Sequence, residues 1–342
     1  VVESDTDRRN LLLLLVVGLI WGSAYPVIRF GIVDGATPVF FAAFRYALSA
    51  VAIGLLAAAT GVVRPTWRSL GVSGLLGLPI VGVYGLLLYL GEASTSGNLA
   101  AILIAGTPFL TALFALPILP GESIGRWGAV GLAVGFVGVV ILVVPPPGVV
   151  LFATVWGPIA VLGAAVSVAF GTVLLRRYRP HGETLWGVSV QFTVATVFLL
   201  AVLPVVEPHP AFPFTAGTVF ALAYLVLLPS LVGYSLYFYL HHRIGPARAN
   251  LVAYVNPVAA VLVGTLIFAE PFQLWELGGL ALIIVGLAIL TRFRRPRAGV
   301  PVRPLPTESD ERPAEGPRTD LPPPAPPEVR ASESGPLPTI GR

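Results

Sequence analysis

Long apolar runs, broken at short intervals by clusters of Arg, Pro, Gly and acidic residues, organise this chain as far as residue 292. A bilayer core of about 30 Å is crossed by a helix of about 20 apolar residues. Ten segments meet that length: 11–31, 37–59, 70–90, 97–118, 124–144, 153–175, 184–204, 216–240, 247–268 and 274–292. The polar punctuation alternates in sign. Arg8, Arg9, Arg64, Arg68, Arg126, Arg176, Arg177, Arg179, Arg243, Arg248, Arg292, Arg294, Arg295 and Arg297 all fall on one side of a ten-helix path. The intervening loops hold Asp34, Glu92, Glu207 and Glu270 and no Arg. The positive-inside rule then predicts a multi-pass cell-membrane protein with both termini cytoplasmic. Arg8-Arg9 ahead of Leu11–Leu15 imitates a signal peptide, but the apolar stretch runs on to Phe30 and reads as an uncleaved first helix.

The second organising feature is an internal repeat. Residues 122–142 align without gaps on 270–290, with nine of twenty-one positions identical, among them Trp127/Trp275, Gly131/Gly279 and Gly138/Gly286. Upstream, Pro108 matches Pro257 after a slip of one residue. The predicted fold is therefore an all-α polytopic membrane protein, with ten transmembrane helices as two five-helix repeats. Five is odd, so the halves insert with opposite orientation. Inverted-topology repeats are the hallmark of secondary transporters, whose site lies near the midplane between the halves. The expected domains are a cytoplasmic N-terminus (1–10), a first repeat (11–144), a second repeat (153–292) and a tail (296–342). Thirteen of the 47 tail residues are Pro, so this cytoplasmic segment is expected to be disordered. Gly18/Gly22 and Gly131/Gly135 form GxxxG pairs, which suit tight packing between helices of one chain.

Composition sharpens this reading. Of 342 residues, 56% are hydrophobic and 11% charged, against about 25% charged in soluble domains. The chain cannot coat itself for water, which excludes ordinary soluble enzymes. A net charge of +4, spread over loops, excludes a nucleic-acid partner. With no Cys and four His, neither a thiolate nor an HExxH metal site can be assembled, and no metal or cofactor is expected. No GxSxG or pair of central Asp residues supports an intramembrane enzyme. A non-transporting scaffold or sensor acting through the Pro-rich tail is the alternative to transport. The expected partners are lipid and a small-molecule solute, and a ten-helix repeat protein can be complete as a monomer.

Trp21-Gly22-Ser23, Arg45-Tyr46, the patterns Ala100…Pro108…Glu122 and Ala249…Pro257…Glu270, and the Gly-rich fifth and tenth helices together resemble the EamA-type members of the drug/metabolite transporter superfamily. The resemblance covers about residues 11–292. It implies a ten-helix exporter or permease for small metabolites, with helices three, four, eight and nine lining a central cavity, and leaves the substrate open.

Candidate site residues follow from the cost of polarity in lipid. Arg45 lies eight residues past Thr37, about 12 Å along helix two. A guanidinium there binds a substrate carboxylate or phosphate, or clamps helix-end carbonyls or Asp34. Trp21, Tyr25 and Arg29 form one stripe on helix one beside Pro26, facing a pore or packing on helix two. Ser230, Tyr234, Tyr237 and His241 follow helical spacing in helix eight, and Asn250, Tyr254 and Pro257 repeat the pattern in helix nine, with Asn256 adjacent. Thr107 and Pro108 are the repeat counterparts in helix four. Pro26, Pro108 and Pro257 are the expected helix breaks. Tyr84 and Gln191 are further candidates. For coupling to an ion gradient, Glu92, Glu122, Glu270 and His241 are in reach, although Glu122 and Glu270 also suit the dipoles of the helices they precede.

Overall fold

In a bilayer a backbone must satisfy its own hydrogen bonds, and a helix does so within one segment. The computed structural model of this chain describes residues 5–143, 156–178, 184–249 and 251–292, apart from the side chains of 5–7, 241–242 and 245–250. Among the described residues there is no strand. Among the described residues, nine helices are long and apolar enough to cross a membrane. They are α1 (Arg8–Val33), α2 (Pro38–Ala59), α3 (Trp67–Glu92), α4 (Gly97–Ile118), α5 (Arg126–Val143), α6 (Trp156–Tyr178), α7 (Leu185–Val206), α8 (Ala216–Leu240) and, last in the chain, α10 (Leu274–Arg292). Between α8 and α10 lies α9 (Val252–Leu266), apolar but shorter. It starts later than the sequence suggests because the helix entering from α8 continues to Ala249. The fold is thus ten helices in two sets of five.

The packing shows the inversion directly. α5 lies along α10 with the glycine faces in register. A Cβ on Gly131 would sit 2.7 Å from the Gly286 carbonyl, and one on Gly138 would sit 2.8 Å from the Gly279 carbonyl. Gly131 and Gly279 are repeat equivalents, as are Gly138 and Gly286. Each glycine therefore meets the equivalent of the other, as antiparallel neighbours about a two-fold axis must. The same relation holds elsewhere: α1 packs on α8 and α9, and α6 packs on α3 and α4. Each half is seated mainly on the other. Gly18 and Gly22 belong to the α1–α9 contact, Gly22 facing the Asn256 carbonyl and Ala259, so this GxxxG pair serves packing within the chain.

Two of the three expected helix breaks coincide with departures from a plain α-helix. α1 is interrupted at Ser23 between Asp5–Gly22 and Ala24–Val33, which puts Pro26 in the first turn of the resumed helix, where its missing N–H is tolerated. α4 is interrupted at Ala105–Gly106, with Pro108 in the first turn of Thr107–Ile118. Pro257 differs: α9 runs through it unbroken. The bond it cannot make would end on Ala253, in the first turn of the helix, so the rest of the ladder survives. A further irregularity, absent from the sequence reading, is a wide π-type turn in α3 (Leu78–Val83) and its counterpart in α8 (Val226–Gly233).

Gly286→Val should part α5 from α10, because its Cβ would lie 2.6 Å from the backbone of both Gly131 and Gly135. We expect a loss of about 1–3 kcal/mol, typical of an overpacked contact, seen as a lowered unfolding temperature in detergent. Gly278→Ala, on the same helix with open space at its Cβ, should cost nothing.

Candidate functional site

The two wide turns are built alike from a proline. A proline has no N–H to give to the carbonyl four residues before it, and the helix widens to accommodate the loss. In α8, Pro229 leaves the Leu225 carbonyl, and Ser230 Oγ donates to it at 3.0 Å. In α3, Pro79 leaves the Leu75 carbonyl, which accepts from the Leu78 N–H instead. The prolines' own carbonyls are then satisfied from the opposite half. Trp21 Nε1 of α1 donates to Pro229 O at 3.0 Å, and Ser167 Oγ of α6 donates to Pro79 O at 2.8 Å. Each wide turn ends on a tyrosine five residues past its proline, Tyr84 and Tyr234. Both tyrosines are partly buried. Their helices share no extended contact among the described residues.

Arg45 of α2 lies beside that pair. It is 9% exposed, with Nη1 donating to Tyr89 OH at 3.0 Å and its guanidinium 5.5 Å from the centre of the Tyr46 ring. Its Nε has no hydrogen-bond partner, and no carboxylate stands within ion-pair distance among the described residues. Tyr25 OH is 3.4 Å from Tyr84 OH. A chain of ring contacts joins the elements: Trp21 to Tyr234 (5.5 Å), Tyr234 to Phe192 (5.8 Å), Phe192 to Tyr46 (5.2 Å) and Tyr46 to Tyr89 (6.3 Å). Trp21, Tyr25, Arg45, Tyr84 and Tyr234 are thereby gathered into one cluster at the junction of α1, α2, α3, α7 and α8. Tyr237 joins it through Trp21, at 5.1 Å between rings.

The remaining candidates lie elsewhere or are engaged in packing. Ser230 is fully buried and accepts from Ser49 Oγ at 2.9 Å while bonded to Leu225. The Asn256 amide, oriented by its partners, donates to Gly18 O at 3.2 Å and Val252 O at 3.0 Å, tying α9 to α1. Tyr254 reaches Thr291 of α10 at 3.1 Å, and Thr107 Oγ1 donates to Ile104 O at 2.6 Å beside the break in α4. Gln191 is buried where α7 crosses Gly77 of α3. Asn250 and the side chain of His241 lie outside the described residues. Sequence spacing missed Tyr46 and Tyr89. Tyr89 is five residues from Tyr84, off its face in a regular helix; its signal was instead the three-residue step to Glu92, which makes one face.

Glu92 is 0% exposed, and neither of its carboxylate oxygens is hydrogen-bonded. Arg29 Nη1 donates to its backbone carbonyl at 2.6 Å. Two other acids fasten this same end of the bundle. Glu207 accepts from Val39 N (2.6 Å) and Phe40 N (3.1 Å) at the start of α2, and Glu270 accepts from Gly97 N (3.3 Å) and Asn98 N (2.9 Å) at the start of α4. Glu270 therefore answers the dipole of α4, not that of α10, because the inverted packing brings its loop onto the other half. At the opposite end Glu122 pairs with Arg176 at 2.6 Å.

These bonds can be tested one at a time. Trp21→Phe keeps a ring but removes the donor to Pro229 O, and Ser167→Ala does the same at Pro79; each should lower stability by about 1 kcal/mol, read from unfolding in detergent. Glu270 gives a pH signature. Burial raises its carboxyl above the ordinary 4.5, against the lowering effect of its bonds to Asn98 and Gly97. A carboxyl raised in the folded chain adds stability below its ordinary value and loses it as pH rises through the raised one. Glu270→Gln should therefore flatten the decline of unfolding temperature from acid to neutral pH; parallel profiles for both proteins would contradict this.

Comparison with known proteins agrees with the geometry. The EamA-like transporter family matches twice, over residues 8–144 and 155–292. The uncharacterized inner membrane transporter YedA of Escherichia coli (strain K12) is 30% identical over 279 residues, covering 81% of this chain and 89% of YedA. The "Probable terminal-alkyne amino-acid exporter" of Streptantibioticus cattleyicolor is 31% identical over 298 residues, covering 85% of this chain and 97% of that protein. A solved crystal structure with 18% identity superimposes with a TM-score of 0.58 over 84% of this chain and 99% of its own, a likeness of fold. Ten apolar helices in two inverted sets, each matched by the same family, make this chain a multi-pass membrane protein that belongs to the EamA-like transporter family.

Proposed function

We propose that the chain is a secondary transporter that moves a small polar metabolite across the cytoplasmic membrane by alternating access, with both termini cytoplasmic. The observation that carries this reading is the Arg–Tyr cluster, assembled from helices of both halves where α3 and α8 stand apart. A solute there exchanges its water for hydroxyls and a guanidinium, which is what crossing lipid requires of a carrier. Because the halves are inverted, a rocking of one on the other that opens one end closes the other around the same groups. The contacts of Glu207 and Glu270 with α2 and α4 tie the halves together at the end that the Arg distribution assigns to the outside, and Glu122 with Arg176 ties them at the other. Glu92, enclosed and within electrostatic reach of Arg29, Arg45 and Glu270, is our candidate for coupling transport to protons. The name of the Streptantibioticus relative supports export of an amino-acid-like solute.

Counterflow of labelled metabolites into proteoliposomes holding the full chain tests this, and truncation after residue 295 should leave it intact. The Tyr234 hydroxyl has no hydrogen-bond partner among the described residues, so Tyr234→Phe removes no internal bond. It should lower counterflow several-fold at unchanged membrane abundance. Absence of flux for every solute class tried would overturn the reading.

A further inference from the structure

The edges of the Arg45 guanidinium are not equivalent. Nη1 is taken by the Tyr89 hydroxyl at 3.0 Å. Nε is buried without a partner, and Nη2 makes no hydrogen bond among the described residues. Nε–H and Nη2–H lie side by side on one edge of the planar group, parallel and at the spacing of two carboxylate oxygens. A buried cation in a membrane interior is normally paired with an anion, yet among the described residues no carboxylate lies within ion-pair distance of this one. The acid within its electrostatic reach, Glu92, directs no oxygen to it, and its other neighbours are the neutral phenols Tyr84, Tyr46 and Tyr89.

We propose that the unoccupied Nε/Nη2 edge of Arg45 is the receptor for a carboxylate on the transported solute, bound bidentately, with the Tyr25–Tyr84 hydroxyl pair and the Tyr234 hydroxyl beside it for the polar groups of the solute body. This rests on the transport reading above and specifies its substrate class as monocarboxylates. The cluster offers one cation among phenol hydroxyls with the Glu92 carboxyl in electrostatic reach, so a monocarboxylate brings the least added negative charge, whereas a phosphate dianion brings two. The Tyr46 face and the Tyr89 bond hold the guanidinium plane, and this fixes the direction of the open edge. Only Arg presents such an edge, since a lysine ammonium is a compact point charge.

The test uses matched pairs, each a 2-amino, 2-oxo or 2-hydroxy monocarboxylate and its primary amide. Binding is read by thermal shift of the purified full-length chain and transport by counterflow. The acids of at least one pair should bind at least tenfold more tightly than their amides. Arg45→Gln should abolish that discrimination, and Arg45→Lys should recover less than a tenth of the wild-type affinity. Tyr89→Phe, which leaves Arg45 charged but unheld, should weaken acid binding several-fold without changing amide binding. Equal binding of acids and amides by the wild type overturns the proposal even if Arg45→Gln fails to fold; so does full acid affinity in Arg45→Gln, or binding of no acid at all. Counterflow of cationic or neutral solutes without any of carboxylates sinks the carboxylate receptor and leaves the transporter standing, whereas no flux of any solute removes both.

Discussion

The structure depends on one steric requirement: two five-helix halves, run in opposite directions, must touch backbone to backbone. Lipid tails are as apolar as leucine side chains, so no hydrophobic driving force sorts helices inside a membrane, and close fit takes its place. Gly131 against Gly286 and Gly138 against Gly279 supply that fit between α5 and α10. Gly18 and Gly22 supply it between α1 and α9. Once those seams are closed, α2 lies on α7, α1 on α8, and α6 on α3, and the polar side chains of both halves have little choice of neighbour.

The polar cluster is a product of this arrangement. Prolines at matching places in α3 and α8 widen the turns that lead to Tyr84 and Tyr234, and each proline carbonyl is closed off by a side chain from the other half, Trp21 or Ser167. The same chemical problem is solved with an indole in one half and a hydroxyl in the other. The symmetry is therefore one of backbone and function of position, while the side chains have diverged. That divergence is what a binding site needs, since a strictly symmetric seam could not place a single guanidinium off its axis.

Much of this was legible in the residues. The apolar lengths, the sign alternation of the loops and the Glu122/Glu270 alignment carry the ten-helix inverted fold, because lipid constrains backbone and composition so severely. Trp21, Tyr25, Arg45, Tyr84 and Tyr234 were legible as site candidates because polar and aromatic groups at helical spacing are costly in hydrocarbon. Other parts were hidden for physical reasons. Asn256 reads as either cavity-lining or packing, and its amide is used between α1 and α9, a pairing that only the three-dimensional crossing decides. Ser230 reads as part of a polar helix face until Pro229 is seen to leave a carbonyl that it fills. Tyr89 escapes because it stands five residues from Tyr84 in a regular helical stretch, off the face on which the other candidates were read. The partner helix of Glu270 could not be read either, since nothing local to a loop says which distant N-terminus it will meet.

The wide turns also bear on how such a chain tolerates insertions and deletions. In an α-helix each added residue rotates everything beyond it by about 100°, so a lost or gained codon ordinarily turns a buried face toward lipid. A π-type turn stores one surplus residue at a place where the opposite half already supports the loosened carbonyls. A single-residue length change there swaps one helical geometry for another instead of spoiling the whole span. The loops and these two interior points are then the places where the halves of an ancient duplication could differ in length while keeping their faces aligned.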